Sequence, residues 1–191
     1  MNPTTAAKSA TADSPPADAV DLLTADHQKV ESLFQEFSEL DSSGAPIKAK
    51  AEVVREICSE LAIHEQVENE VFFPAVRDVL RKEDVFKDAI IEQNDACEVV
   101  SELAELNPRD PFYSYRVREL GEEIKEHAED EEIEFFPVVQ AAAIDTRTLG
   151  TAVQARKEEL EQHPNTNGSG ESDRTGEAAE YRPQSEVVAD R

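Results

Sequence analysis

Apolar residues recur at three- and four-residue spacing along most of the chain, and period-two runs of β-branched residues are absent. One seam runs Val20, Leu23, His27, Val30, Phe34, Phe37, and a second Val54, Ile57, Leu61, His64, Glu68, Val71, Ala75. A third runs Phe86, Ile90, Gln93, Cys97, Val100, Leu103, and a fourth Val117, Leu120, Ile124, His127, Glu131. This period is that of a helix face turned toward a shared interior. Breaks at DSSGAP (41–46), near Arg81–Asp84 and at NPRDP (107–111) divide the pattern into helices over 18–41, 47–80, 84–106 and 111–143, with a weaker fifth over about 145–162. Short connections favour antiparallel neighbours, so the expected fold is all-α, an up-down-up-down four-helix bundle. Residues 1–17 and 164–191 are small, polar and Pro-bearing and read as disordered tails. The expected organisation is a tail (1–17), a bundle (18–143), a short helical extension (144–163) and an acidic tail (164–191).

Charge sharpens this picture. The formal net charge is −24; the first tail is neutral and the second carries three Arg against six acids, which leaves −21 on the body. Such a surface repels phosphate backbones, so nucleic acid is not an expected partner. It suits a solubilising surface or a salty cytoplasm. No apolar run approaches the roughly 20 residues that span a bilayer, so no membrane partner is expected. The first residues lack a charged-then-apolar leader pattern, and the two cysteines, Cys58 and Cys97, form no CxxC. A cytoplasmic monomer or weak oligomer is the expectation.

Three of the four histidines lie on the seams, and two carry a Glu four residues later: His64 with Glu68, and His127 with Glu131. That spacing puts both side chains on one helix face about one turn apart. A carboxylate facing a core costs several kcal/mol unless something compensates it. Lys and Arg are absent from the seams, and a cation shared by imidazoles and carboxylates meets the need. There is also an internal repeat. HEQVENEVFFP (64–74) and HAEDEEIEFFP (127–137) share His, Glu at +4, Phe-Phe at +8 and +9, and Pro at +10. Two related units would aim their His/Glu pairs at one centre, each closed by an apolar plug and a helix break at Pro. Imidazole with carboxylate suits iron, manganese or zinc.

Asp26-His27, His64-xxx-Glu68 with FFP, and His127-xxx-Glu131 with FFP resemble the hemerythrin HHE cation-binding family over roughly residues 18–140. The resemblance implies a four-helix bundle around a non-haem di-iron centre with room for O2, NO or another small ligand. It implies His27, His64, Glu68, His127 and Glu131 as metal ligands, the glutamates as bridges. The family's third-helix histidine is here Gln93, whose amide oxygen is a weaker ligand, and the oxygen-carrying branch has a further His where this chain has Cys97. Gln93 is the sixth candidate ligand, and the second metal position is expected to be the weaker. The functional expectation is a small-ligand-binding or iron-responsive protein. The rivals are a redox enzyme (peroxide or NO reduction, or Fe(II) oxidation) and a bundle whose metal site has degenerated.

Against this stands a plainer reading for each residue. A lone seam His is commonly a satisfied core residue. Glu65, Glu126 and Glu132 read as solvated faces, with Glu65 the first further candidate for the site, Cys97 as a small buried hydrophobe and the four phenylalanines of the repeats as core.

Overall fold

The computed structural model describes residues 17–80 and 83–163; apart from Ala17, both tails lie outside these residues. The helices are α1 (Ala19–Ser42), α2 (Ile47–Val67), α3 (Phe73–Leu80), α4 (Asp84–Glu105), α5 (Tyr113–Asp130), α6 (Phe136–Ala141) and α7 (Thr146–Gln162). A π turn, Glu68–Phe72, runs α2 into α3, and a second, Glu131–Phe135, runs α5 into α6. Four rods result: α1, α2–α3, α4 and α5–α6. α1 and α4 each pack against both α2 and α5, which closes the up-down-up-down bundle, and α7 lies against α1, α2 and the first π turn.

The apolar seams do not form one continuous core. Leu23, Val67, Phe72, Phe73, Phe86, Phe135 and Phe136 belong to one buried cluster, joined by Leu149, Val153 and Leu160 of α7. Val30, Phe37, Ile57, Leu61, Val100, Val117, Leu120 and Ile124 belong to another. Where the two meet on each rod stands a polar residue: His27, His64 with Glu68 just beyond Val67, Gln93, and His127 and Glu131. The bundle is thus two apolar blocks with a polar layer between.

The π turns correct two expectations. Pro74 and Pro137 do not end their helices. A proline lacks the N–H and crowds the carbonyl four residues back, which an α-turn cannot accommodate. Here the N–H of Phe73 bonds the carbonyl of Glu68, and that of Phe136 the carbonyl of Glu131, five residues back in each case. The wider turn absorbs the proline and the helix continues. It also adds one residue, which rotates the remainder of the rod by roughly 100°. The seam drawn through Val71 and Ala75 therefore gives way: Val71 is half-buried and Ala75 exposed, while Phe72, Phe73, Val76 and Leu80 are buried. On α4 the buried positions are Ala89 and Ala96 beside Gln93, with Ile90 and Cys97 half-buried.

Candidate metal centre

Each rod delivers its polar residue at one level. His27 comes from the middle of α1 and Gln93 from the middle of α4; His64 and His127 come from the last turns of α2 and α5. Glu68 and Glu131 open the two π turns, so each His/Glu pair ends at the point where the helix widens. Glu68 and Glu131 are both 0 % exposed and Gln93 1 %.

The side chains converge. His27 Nε2 lies 3.2 Å from His64 Nε2 and 3.3 Å from Glu131 Oε2, and His64 Nε2 lies 3.4 Å from Glu68 Oε2. Among the described residues, one donor atom each from His27, His64, Glu68 and Glu131 falls within 4.8 Å of the others. His127 stands at the edge of this cluster, its Nε2 4.0 Å from Glu131 Oε2. Both carboxylate oxygens of Glu68 and of Glu131, both amide atoms of Gln93 and both ring nitrogens of His127 are buried without a hydrogen-bond partner. Buried polar groups are nearly always satisfied, so this concentration of open lone pairs calls for a cation. Three imidazoles and two carboxylates are donors that fit iron, manganese or zinc.

Electrostatics point the same way. Burial and the charges of Glu131 and Glu65 hold Glu68 well above the usual carboxylate range. Burial also pushes Glu131 upward, but the His27 ring 3.3 Å away and the neighbouring imidazoles bring it below its ordinary value. Burial lowers His64 and His127. It acts on His27 too, yet Glu131 and Glu132 raise that ring overall. A like-charged carboxylate pair cannot both ionise freely in a closed space, so burial and the charge of Glu131 favour the protonated form of Glu68.

A cleft of about 700 Å³ between α1 and α5 reaches His27, His64 and His127, with Val30, Phe34, Leu61 and Ile124 among its walls. Phe34 lies on Gly121, where a Cβ would stand 2.9 Å from its ring. On the other side Phe72, Phe73, Phe135 and Phe136 pack edge and face against one another and keep water out. His27 stacks on Phe136 with ring centroids 5.8 Å apart.

The structure thus gathers His27, His64, Glu68 and Glu131 closely, with His127 and Gln93 in the same layer. Cys97 is apart: it is half-buried, with the Asn69 amide 3.8 Å from its sulfur, in a groove that Cys58 and Glu65 share. Burial lifts the two thiols to about 11 (Cys58) and about 12 (Cys97). Asn94 is exposed, its amide donating to the Ile90 carbonyl.

Three acidic neighbours lie outside the ligand set expected from the sequence. Glu132 is no idle solvated residue, since it lies 2.9 Å from His27 Nδ1. Glu65 is half-buried with one unpartnered oxygen, and burial lifts it to about 7. Asp26, only 8 % exposed, stands 3.8 Å from His64 Nδ1 and takes a hydrogen bond from Lys157 of α7. In a chain so rich in acids no periodic signal separates these from their solvated neighbours; only Asp26 and Glu65, each next to a seam histidine, carried a hint.

Comparison with known proteins agrees. The family model "Hemerythrin HHE cation binding domain" matches residues 18–139. The crystal structure of a hemerythrin HHE cation binding domain-containing protein from Mycobacterium kansasii superposes with a TM-score of 0.65 at 22 % identity, covering 77 % of this chain and 89 % of that one. A protein from Nostoc sp. named DNA nickase is 28 % identical over 144 residues; the match takes in 74 % of this chain and 40 % of the relative's length. With its polar layer of histidines and glutamates inside a four-helix bundle, the chain belongs to the hemerythrin HHE cation-binding domain family.

Proposed function

We propose that the protein holds a non-haem metal centre, iron in preference and in two positions, and that it binds or senses a small ligand there. His27, His64, Glu68, His127 and Glu131 would hold the metal, with Gln93 a weak sixth donor. The observation that carries this reading is the pair Glu68 and Glu131, fully buried with all four carboxylate oxygens lacking a hydrogen-bond partner. Iron supplies affinity for O2, NO or peroxide and a change of oxidation state, which zinc lacks. The chain's own contribution is positional. Glu132 holds the outer nitrogen of His27, the phenylalanines exclude water from one side, and the α1–α5 cleft admits a small molecule from the other. The amide of Gln93 in place of an imidazole leaves one position less firmly held and open to an added ligand. We place the protein in the cytoplasm, where free Cys58 and Cys97 stay reduced.

The test is elemental analysis of the full chain expressed in iron-replete medium, beside Glu68→Ala and Glu131→Ala. Roughly one to two iron ions per chain are expected in the parent and far fewer in the variants. Less than about 0.2 ions of any transition metal, with no uptake on reconstitution, would leave a bundle without a metal function. Catalytic turnover of peroxide by the loaded protein would instead favour the redox-enzyme reading. The name of the Nostoc relative raises DNA cleavage as a further activity. The formal charge of −24 opposes it, because contact with phosphates requires clustered Lys and Arg.

A further inference from the structure

We propose that α7 is a working part of the metal centre: Lys157 fixes Asp26 opposite the Nδ1 edge of His64 and thereby sets that ring's tautomer and orientation. The inference rests on the reading of His64 as a ligand. α7 lies beyond residues 18–139, the span shared with the family model.

The helix is fastened at both ends. At its start Thr146 donates to the Asp18 carboxylate that also caps α1. At Gly150 the backbones meet, and a Cβ there would stand 2.0 Å from the Ala17 carbonyl oxygen. Near its other end two adjacent cations reach the elements that carry the site. Arg156 Nε donates to Glu70 Oε2 of the first π turn at 2.7 Å, and Lys157 donates to Asp26 Oδ1. The Lys157 and Asp26 side chains are 18 % and 11 % exposed, so their pairing is shielded from salt and water.

The other oxygen of Asp26 faces His64. That ring is 4 % exposed, and its Nδ1, without a hydrogen-bond partner, stands 3.8 Å from Asp26 Oδ2. A neutral imidazole carries one proton, and a carboxylate opposite Nδ1 favours it there. The Nε2 lone pair then points into the cluster, where Glu68 Oε2 is 3.4 Å and His27 Nε2 3.2 Å away. Without Lys157 the carboxylate would lose the partner that fixes its direction, and a buried charge would be left unpaired.

The experiment uses the full chain and four variants: Lys157→Met, Lys157→Gln, Lys157→Arg and Arg156→Met. Two readouts are taken. Nitrogen NMR of metal-free protein gives the His64 tautomer, and transfer of iron to a strong chelator gives the rate of metal loss. The Nδ1–H tautomer is expected in the parent. Lys157→Met and Lys157→Gln should populate the other tautomer and, by freeing Asp26, lose iron faster, by up to roughly the 10- to 100-fold in affinity that loss of an outer partner of a metal-bound histidine costs. Lys157→Arg should restore most of both, and Arg156→Met, which removes the Glu70 contact but leaves the Lys157–Asp26 pair, should change both far less than Lys157→Met. If Lys157→Met does not fold, Lys157→Gln decides. A parent-like tautomer and loss rate in the neutral variants would overturn the proposal, as would an equal effect of Arg156→Met. Failure of the parent to take up any iron would strike the proposed function, whereas the tautomer readout would still decide the role of α7.

Discussion

Glu68 and Glu131 are the same residue type, equally buried, yet their protonation is pushed in opposite directions. Burial and the charge of Glu131 raise Glu68, while Glu131, also raised by burial, is drawn below its ordinary value by His27 and the other imidazoles. A carboxyl raised by folding stabilises the metal-free protein below its unfolded pKa, and that contribution is lost as pH rises through the folded value. Metal held by Glu68 and His27, as proposed, would displace this proton and the one that His27 retains more firmly than a free imidazole. The stabilisation by metal should therefore grow as pH rises from the ordinary carboxylate range through and above the ordinary imidazole range. At a thousandfold excess over Kd it amounts to about 4 kcal/mol, or about 10 °C in Tm for a chain of this size. Melting curves with and without chelator across that range check it; a difference that is flat or shrinks with pH would contradict it. Gln93, 1 % exposed and unpartnered at both amide atoms, is the other residue to test. Gln93→His should raise metal occupancy and strengthen the near-ultraviolet absorption of a ferric pair, and His127→Gln should lower both. No change in the first beside complete loss in the second would show that α4 does not reach the metal.

At the scale of elements, the helices and their inward faces were legible, because a 3.6-residue period and turn-forming residues are local signals. The π turns were not. Their cause is a proline six residues after each glutamate, which reads equally well as a stop. The consequence is the one-residue slip that leaves Ala75 exposed and buries Val76. The surplus residue makes a specific prediction about deletions. Removing Ile133, exposed on the second π turn, together with Pro137→Ala, should yield an ordinary α-turn that keeps Phe135 and Phe136 on the buried face. Removing Lys125 instead, where no residue is surplus, rotates Glu131 and both phenylalanines by roughly 100° off the core. Large-to-small changes at such aromatic positions cost about 3–5 kcal/mol, so the Lys125 deletion should unfold the chain and the Ile133 deletion should not. Thermal unfolding by circular dichroism compares them, and equal loss in both would refute the surplus-residue explanation. α7 marks the other limit of sequence reading. It was visible as a weak helix, but the reach of Lys157 into the polar layer depends on packing between segments about 130 residues apart, for which the chain offers no local sign.

Across the whole molecule, the two apolar blocks and the charged exterior divide the work. The blocks supply stability and hold the polar layer level, and the exterior sets what can approach. A body this acidic should give no salt-sensitive complex with duplex DNA in a gel shift at micromolar protein and physiological salt, and no nicking of a supercoiled plasmid when loaded with iron. Either activity would mean that part of the surface escapes the overall charge and that the Nostoc relative's name extends to this chain. The convergence of four rods on one layer is the central feature of the molecule, and anomalous X-ray diffraction at the iron edge, from crystals of the protein expressed with iron, measures it directly. Anomalous density is expected between His27, His64, Glu68 and Glu131, with a weaker second peak toward His127 and Gln93. Iron in the crystal with no peak in that layer, or a peak only at exposed carboxylates, would contradict the assignment of the centre.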